Sequence, residues 1–265
     1  MPQASPTPIT TRERLGFVRV AAVSPELVLG DVSKNVAIIA REARTVAQRG
    51  CRLAVFPELS LTGYSCADLF HTTALLNASV KGLAELVHAT LDLPCVLVVG
   101  LPLRVQDRLY NMAAVLAKGR LLGLVPKTFL PNSAEFYERR WFSPAHTLNV
   151  STLRLNDEEV AIGTKLLFEV LDVPGFVLGV EICEDLWTVI PPSSHLALAG
   201  EQLEHLLEVG QALLDLAVDH AQEVQRDVEL DHEGVDHHQI AQRHAAVHHA
   251  LRGPPQDGHQ PDGND

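Results

Sequence analysis

An α/β layered sandwich is the fold class that this 265-residue sequence predicts. Three observations point to it. Short apolar, β-rich runs alternate with stretches of helical period. Two of those runs are joined by Lys118-Gly119 alone, a hairpin signal, so the sheets are mixed rather than doubly wound and parallel. Hydrophobic residues make up 46% of the chain and charged ones 20%, the balance of a globular protein large enough to bury its own core.

Residues 16–23, GFVRVAAV, are bounded by Gly and Ser-Pro and read as a buried strand. Between Asp31 and Gln48, the spacing of Val36, Ile39, Ala43 and Val46 gives one helical face, with Asp31 or Ser33 as N-cap and Gly50 beyond the end. LAVFPE (53–58) is a strand closed by Pro57, a second helix covers about 72–91, and PCVLVVGLP (94–102) is a continuous apolar strand. NMAAVLAKGRLLGLVPK (111–127) supplies the hairpin, and a charged, aromatic loop follows at 135–142. KLLFEV (165–170) and FVLGVEIC (176–183) read as further strands, and PPSSHLALAG (191–200) starts a helix capped by Ser193 or Ser194.

Composition changes near Gly200. The whole chain carries a net charge of −12, yet residues 201–265 hold 14 acidic side chains, three Arg, no Lys and nine of the 13 His. All aromatics lie at or before Trp187. The expected organisation is a flexible segment at 1–13, a folded domain at 14–200, and an acidic, His-rich tail at 201–265, helical and then disordered. In the tail, Leu203, Leu206, Leu207, Leu213, Leu214, Ala217, Val224 and Val228 share one helical side. Three readings compete for it: an acidic amphipathic helix, a metal site on His237, His244 and His248, or an out-of-frame replacement of a true carboxyl-terminal third. The last is preferred, and no metal is expected. The acidic balance argues against nucleic-acid or anionic-membrane binding. Four unpatterned cysteines, no apolar leader and no apolar run of membrane-spanning length give the expectation of a soluble cytoplasmic protein with free thiols.

The residues that close the apolar runs carry the chemistry. Glu58 ends LAVFPE, Lys127 ends LLGLVPK, and Cys183 ends VLGVEIC. If their strand ends share one edge, an acid, an ammonium and a thiol converge into a set sufficient for acyl transfer. Cys183 attacks a carbonyl carbon, Glu58 moves the thiol proton to the departing amine, and Lys127 with the backbone N–H after Cys183 holds the oxyanion. A helical turn starting after Cys183 would favour its thiolate. Taken singly, each residue also fits a plainer role, the cysteine as a small buried hydrophobe and the charges as solvated loop residues.

Three longer words narrow the choice. VFPELSLTGYSCADLF (55–70), LVPKTFLPNSAEFYERRWFSP (124–144) and VEICEDLW (180–187) closely resemble the signatures of the nitrilase, or carbon–nitrogen hydrolase, superfamily. ELSLTGYS, FLPNSAEFYERR and VEICEDLW resemble more narrowly the amino-terminal glutaminase domain of glutamine-dependent NAD synthetases, over residues 14–200. The resemblance implies a nitrilase-like α-β-β-α four-layer sandwich, here incomplete at the carboxyl end because Gly200 is followed by a non-strand pattern. It implies release of ammonia from glutamine through a cysteine thioester, with no metal or organic cofactor, in a homo-oligomer. Glu58 is then the general base, Lys127 the oxyanion-stabilising lysine, Cys183 the nucleophile, and Glu135 the second glutamate. Spacing alone equally allows Glu135 a salt bridge to Arg139. Tyr64, Phe136 and Glu184 are the implied substrate-binding residues. The family's ATP-dependent synthetase domain has no counterpart in this sequence. Two alternatives remain open: a non-catalytic truncated fragment, or a stand-alone carbon–nitrogen hydrolase of another small amide.

Overall fold

Strand β3 (Val96–Val105) shows how the layers arise. Its Leu97, Val99, Leu101 and Leu103 enter one hydrophobic cluster, while Val96 and Val98 enter a second on the opposite face. A strand buried on both faces needs apolar residues at every position, and the run VLVVGLPL supplies them.

The computed structural model describes residues 16–155, 158–173 and 175–199. The segment 1–13 and the tail 201–265, with its helical face and His237, His244 and His248, lie outside the described residues. The other elements are β1 (Val20–Ala22), α1 (Val32–Gln48), β2 (Leu53–Val55), α2 (Thr73–Ala89), β4 (Arg108–Ala117), β5 (Arg120–Pro126), β6 (Thr152–Leu155), β7 (Glu158–Ile162), β8 (Phe168–Glu169), β9 (Val177–Leu178) and α3 (Pro192–Ala199). A seven-stranded mixed sheet runs in the order β1-β2-β3-β4-β5-β7-β6, and β8 and β9 form a separate antiparallel pair. β1, β2 and β3 are mutually parallel, β4 is antiparallel to β3 and β5, and β5 is parallel to β7.

On one face of the large sheet lie α1 and α2, burying Ile39, Ala43, Leu83 and Leu86 against β3 and β4. On the other face, Val96, Val98, Ala113, Val115 and Val125 meet Leu178, Val180 and Ile182 from β9 and the chain beyond it. Leu196 of α3 approaches the backbone at Gly179 from outside. The layers therefore follow the expected α-β-β-α order, the last two consisting of two short strands and one short helix among the described residues. No described helix is long and apolar enough to cross a membrane.

The helix starts follow local chemistry. Asp31 caps α1 by accepting the Lys34 N–H, and Thr72 caps α2 by accepting that of Leu75. The predicted hairpin turns at Lys118-Gly119, both at positive φ. Three expectations change. GFVRVAAV, KLLFEV and FVLGVEIC contribute only three, two and two strand residues, because the chain on either side of each leaves its ladder. The last helix starts at Pro192 rather than behind a Ser193 or Ser194 cap, and its Ser193 N–H is taken instead by Glu181 Oε2 at 3.0 Å. The hairpin of β6 and β7 had no counterpart in the sequence reading.

The two helices of the outer layer meet at Gly82. A Cβ built there would stand 2.4 Å from Val32 Cγ1 and 3.1 Å from Val36 Cγ2. Gly82→Ala is expected to lose net stability. Overpacking against a stiff β-branched neighbour costs about 2–3 kcal/mol, more than the roughly 1 kcal/mol that alanine returns in helix propensity. Urea unfolding should show a lower midpoint at unchanged m, and an unchanged midpoint would refute the close approach.

Candidate active site

Parallel β2 and β5 bring their carboxyl ends to one edge of the large sheet, so Glu58 and Lys127 emerge together. Between them, on antiparallel β4, lies Asn111, whose carbonyl accepts the Lys127 N–H at 2.9 Å. The Lys127 side chain is fully buried, and its Nζ stands 2.7 Å from Glu58 Oε1 and 2.7 Å from Glu138 Oε1. Glu58 Oε1 also accepts from Asn111 Nδ2, and Glu138 Oε1 from the Tyr64 hydroxyl at 2.7 Å. Burial by itself would lower the lysine's pKa. The Glu58 and Glu138 carboxylates outweigh it, so the ammonium stays protonated well above the usual lysine range.

The backbone presents Glu58 by breaking a ladder. Phe56 N–H bonds Val98 C=O and Leu61 N–H bonds Gly100 C=O, which leaves residues 57–60 looped out between two consecutive β3 partners. Leu59, next to Glu58, takes φ 54°, a left-handed conformation uncommon for a leucine. The loop lies directly on Gly100, where a Cβ would stand 2.1 Å from Leu59 N and 2.8 Å from Glu58 C. The Ser60 hydroxyl accepts the Gly100 N–H at 3.1 Å and pins the loop there.

Cys183 arrives from the second layer. It follows β9, opens the short 3₁₀ turn Cys183–Trp187, and itself has φ 48°. The charges of Glu58, Lys127 and Glu138 all act on its thiol, so the three strand-end residues are brought together. The expected thiolate is not the resting state. Burial, reinforced by the Glu58 and Glu138 charges against the opposing pull of Lys127, pushes the thiol up to about 12. The 3₁₀ turn does start at Cys183, but desolvation and two carboxylates outweigh its few amide dipoles.

The carboxylate that completes the lysine's shell is a correction. Glu135 is exposed and makes no contact with Lys127, whereas Glu138, three residues on, is almost completely buried and does. The segment folds back on itself: Ala134 sits at φ 53°, Phe136 N–H bonds Ser133 C=O, and Glu138 N–H bonds Pro131 C=O. Glu138 then opens a 3₁₀ turn with its side chain inward. Burial and the Glu58 charge raise its pKa above the ordinary glutamate value, against the pull of Lys127. Of the implied substrate-binding residues, Tyr64 and Phe136 meet edge to face with centroids 6.3 Å apart, and Glu184 lies half-buried beside Cys183.

Sequence reasoning also missed Asn111 and Asp185. Both are buried polar residues, Asn111 inside an apolar strand and Asp185 two positions after the cysteine. A polar side chain in the middle of the run RLYNMAAVLA was the available signal for the first. Two buried acceptors, Asn111 Oδ1 and Glu138 Oε2, have no partner among the described residues. No cluster of His, Cys, Asp and Glu suited to a metal ion occurs among the described residues.

The family model described as carbon–nitrogen hydrolase matches residues 19–248. The glutamine-dependent NAD(+) synthetase of Mycobacterium tuberculosis is 49% identical over 185 residues, which cover 70% of this chain and 27% of that protein. That of Thermotoga maritima is 34% identical over 190 residues, 72% of this chain and 29% of the relative. Among solved structures, a glutamine-dependent NAD(+) synthetase from Cytophaga hutchinsonii matches with TM-score 0.58 and 27% identity, over 63% of this chain and 28% of that one. The chain thus spans little more than a quarter of the length of these relatives.

Two substitutions probe the geometry. Gly100→Ala puts a methyl into the Glu58 loop, so it should cost about 1–3 kcal/mol of stability and lower kcat/KM about 10²-fold by moving Glu58. Urea unfolding and an amide-hydrolysis assay measure both, and full activity would show that the loop does not depend on Gly100. Lys127→Met strands the buried Glu138 carboxylate and the partly buried Glu58, and should cost about 3–5 kcal/mol near neutral pH. Without the ammonium, the pKa of Glu138 rises further. A carboxyl raised in the folded state is stabilising while protonated and loses that contribution as pH rises through its folded pKa. The gap between variant and parent should therefore narrow as pH falls from about 8 to about 5, and a gap independent of pH would contradict the assignment.

Proposed function

The chain belongs to the carbon–nitrogen hydrolase family, and from that premise we propose that it hydrolyses the side-chain amide of glutamine through a thioester on Cys183. The observation that carries this reading is the buried ammonium of Lys127 held between Glu58 and Glu138, with the Cys183 thiol close enough for all three charges to act on it. Glutamine is favoured as substrate because the relatives above are glutamine-dependent enzymes and Tyr64 and Phe136 stand beside the acid–lysine group.

In this mechanism sulfur attacks the amide carbon while Glu58 takes the thiol proton, a transfer that the raised thiol pKa makes necessary. Lys127 and the N–H of Glu184 stabilise the oxyanion. The tetrahedral adduct collapses, the C–N bond breaks, and Glu58 returns its proton to the nitrogen, which leaves as ammonia. Water then attacks the thioester as Glu58 accepts a proton again, releasing the product carboxylic acid and restoring the thiol. Glu138 keeps Lys127 oriented. Every step balances without metal or organic cofactor. The reading carries with it a reducing, cytoplasmic setting and association into homo-oligomers. The ammonia released would suit an amide-forming partner reaction of the kind for which the relatives are named.

Cys183→Ala should abolish glutamine-dependent ammonia release, with a loss of at least about 10³-fold. Labelling by an electrophilic glutamine analogue should vanish with it. A panel containing glutamine and simple aliphatic amides tests the substrate. Turnover of the aliphatic amides alone would replace glutamine as the substrate, and ammonia release unchanged in the alanine variant would exclude the thioester.

A further inference from the structure

The groups assigned to the reaction stand on two different sheets. Glu58 and Lys127 follow strands of the large sheet, whereas Cys183 follows β9 of the small one. Register within a sheet is fixed by its ladder, but the apolar contact between the two sheets is non-directional. An ammonium and a sulfur that must act on one carbonyl group need a directional tie between their segments.

Asp185 provides one. Its side chain is 1% exposed. Oδ1 accepts the Phe129 N–H at 2.7 Å and the Thr128 N–H at 3.0 Å, and Oδ2 accepts the Ile182 N–H at 3.2 Å, with a longer contact of 3.3 Å from Thr128. Its own N–H donates to Ile182 C=O at 3.1 Å, closing the turn in which Cys183 holds its positive φ. One carboxylate thus grips the two residues after Lys127 and the residue before Cys183. Among the described residues, these are the hydrogen bonds that join the Lys127 segment to the Cys183 turn.

We propose that Asp185 is a positioning residue that sets Lys127 against Cys183 by clasping the backbone beside each. The inference rests on the amide-hydrolysis reading above. Burial raises the Asp185 carboxyl only to about 6, because the N–H groups of Phe129, Ile182 and Thr128 and the charge of Lys127 favour its ionised form. At neutral pH it is therefore an ion, and its hydrogen bonds are the stronger, charge-assisted kind.

Asp185→Asn and Asp185→Ala in the full chain test the clasp. Asparagine keeps one acceptor oxygen for Thr128 and Phe129 but turns an N–H₂ donor toward the Ile182 N–H, so it should rescue the alanine variant in part. In Asp185→Ala, hydrogen exchange at the Thr128 and Phe129 amides should accelerate at least about tenfold while the β3 and β4 amides keep their protection. For the amide that the parent hydrolyses, kcat per titrated site should fall about 10²-fold with KM within about threefold, and Asp185→Asn should lie between. A role confined to stability would reduce the folded fraction without changing kcat per titrated site, and that result overturns the proposal. So does unchanged exchange at Thr128 and Phe129. If the parent hydrolyses no amide at all, the functional reading fails, while the exchange comparison still decides whether Asp185 holds the two segments together.

Discussion

A lysine ammonium withdrawn from water between two carboxylates sets the terms for everything near it. Stripping solvent from an ion costs several kcal/mol, and attraction offsets that only when the geometry is good and the remaining polar atoms find partners. Lys127 meets the condition by holding both Glu58 and Glu138 at 2.7 Å. The two acids come from distant segments, so the ion pair also fixes how the loop after β2 and the loop after β5 lie against each other. Asn111 and Tyr64 donate into the same oxygens that face the lysine, which narrows the freedom of each carboxylate. A buried charge of this kind is weak as a source of stability and strong as a constraint on position.

That constraint is paired with backbone strain. Leu59 and Cys183, one adjacent to the proposed base and one the proposed nucleophile itself, both sit at positive φ without being glycine. Conformations of this kind cost about 1–3 kcal/mol each and persist only where the surroundings hold them. At Leu59 the hold comes from the bare backbone of Gly100 and the hydroxyl of Ser60. At Cys183 it comes from the hydrogen bonds between Asp185 and Ile182. The apolar layers thus supply a rigid floor, and a few directional bonds convert it into side-chain placement.

The same division explains what could be read in the sequence. β3, β4, β5, α1 and α2 were legible because burial imposes a period of two or 3.6, or a continuous apolar run, and turns and caps mark the ends. Glu58, Lys127 and Cys183 were legible because each closes such a run. Glu138 was not. It lies in a segment without periodicity, where a reversal at Ala134 and a 3₁₀ turn decide which of two glutamates points inward, and neither leaves a spacing rule in the sequence. Asp185 escaped for a related reason, since its partners are main-chain N–H groups that belong to no particular residue type. The β6 and β7 hairpin shows a different gap. Its buried Val160 and Ile162 do alternate with less buried neighbours, but over a stretch too short and too charged to stand out from a loop.

Charge conservation links the resting site to the proposed reaction. Two carboxyl groups face one ammonium, so the buried group has more acids than bases. Ionising Cys183 in place would add a further negative charge, which is why burial and the two carboxylates hold the thiol protonated. Attack on a carbonyl with simultaneous proton transfer adds none. Glu58 becomes neutral as the oxyanion forms, so the negative charge moves from a carboxylate that touches Lys127 to an oxygen that Lys127 can also reach. An environment hostile to a free thiolate is therefore not hostile to the transition state. The buried lysine stabilises charge of one sign and roughly one magnitude throughout, and the site does not have to reorganise when that charge changes atoms.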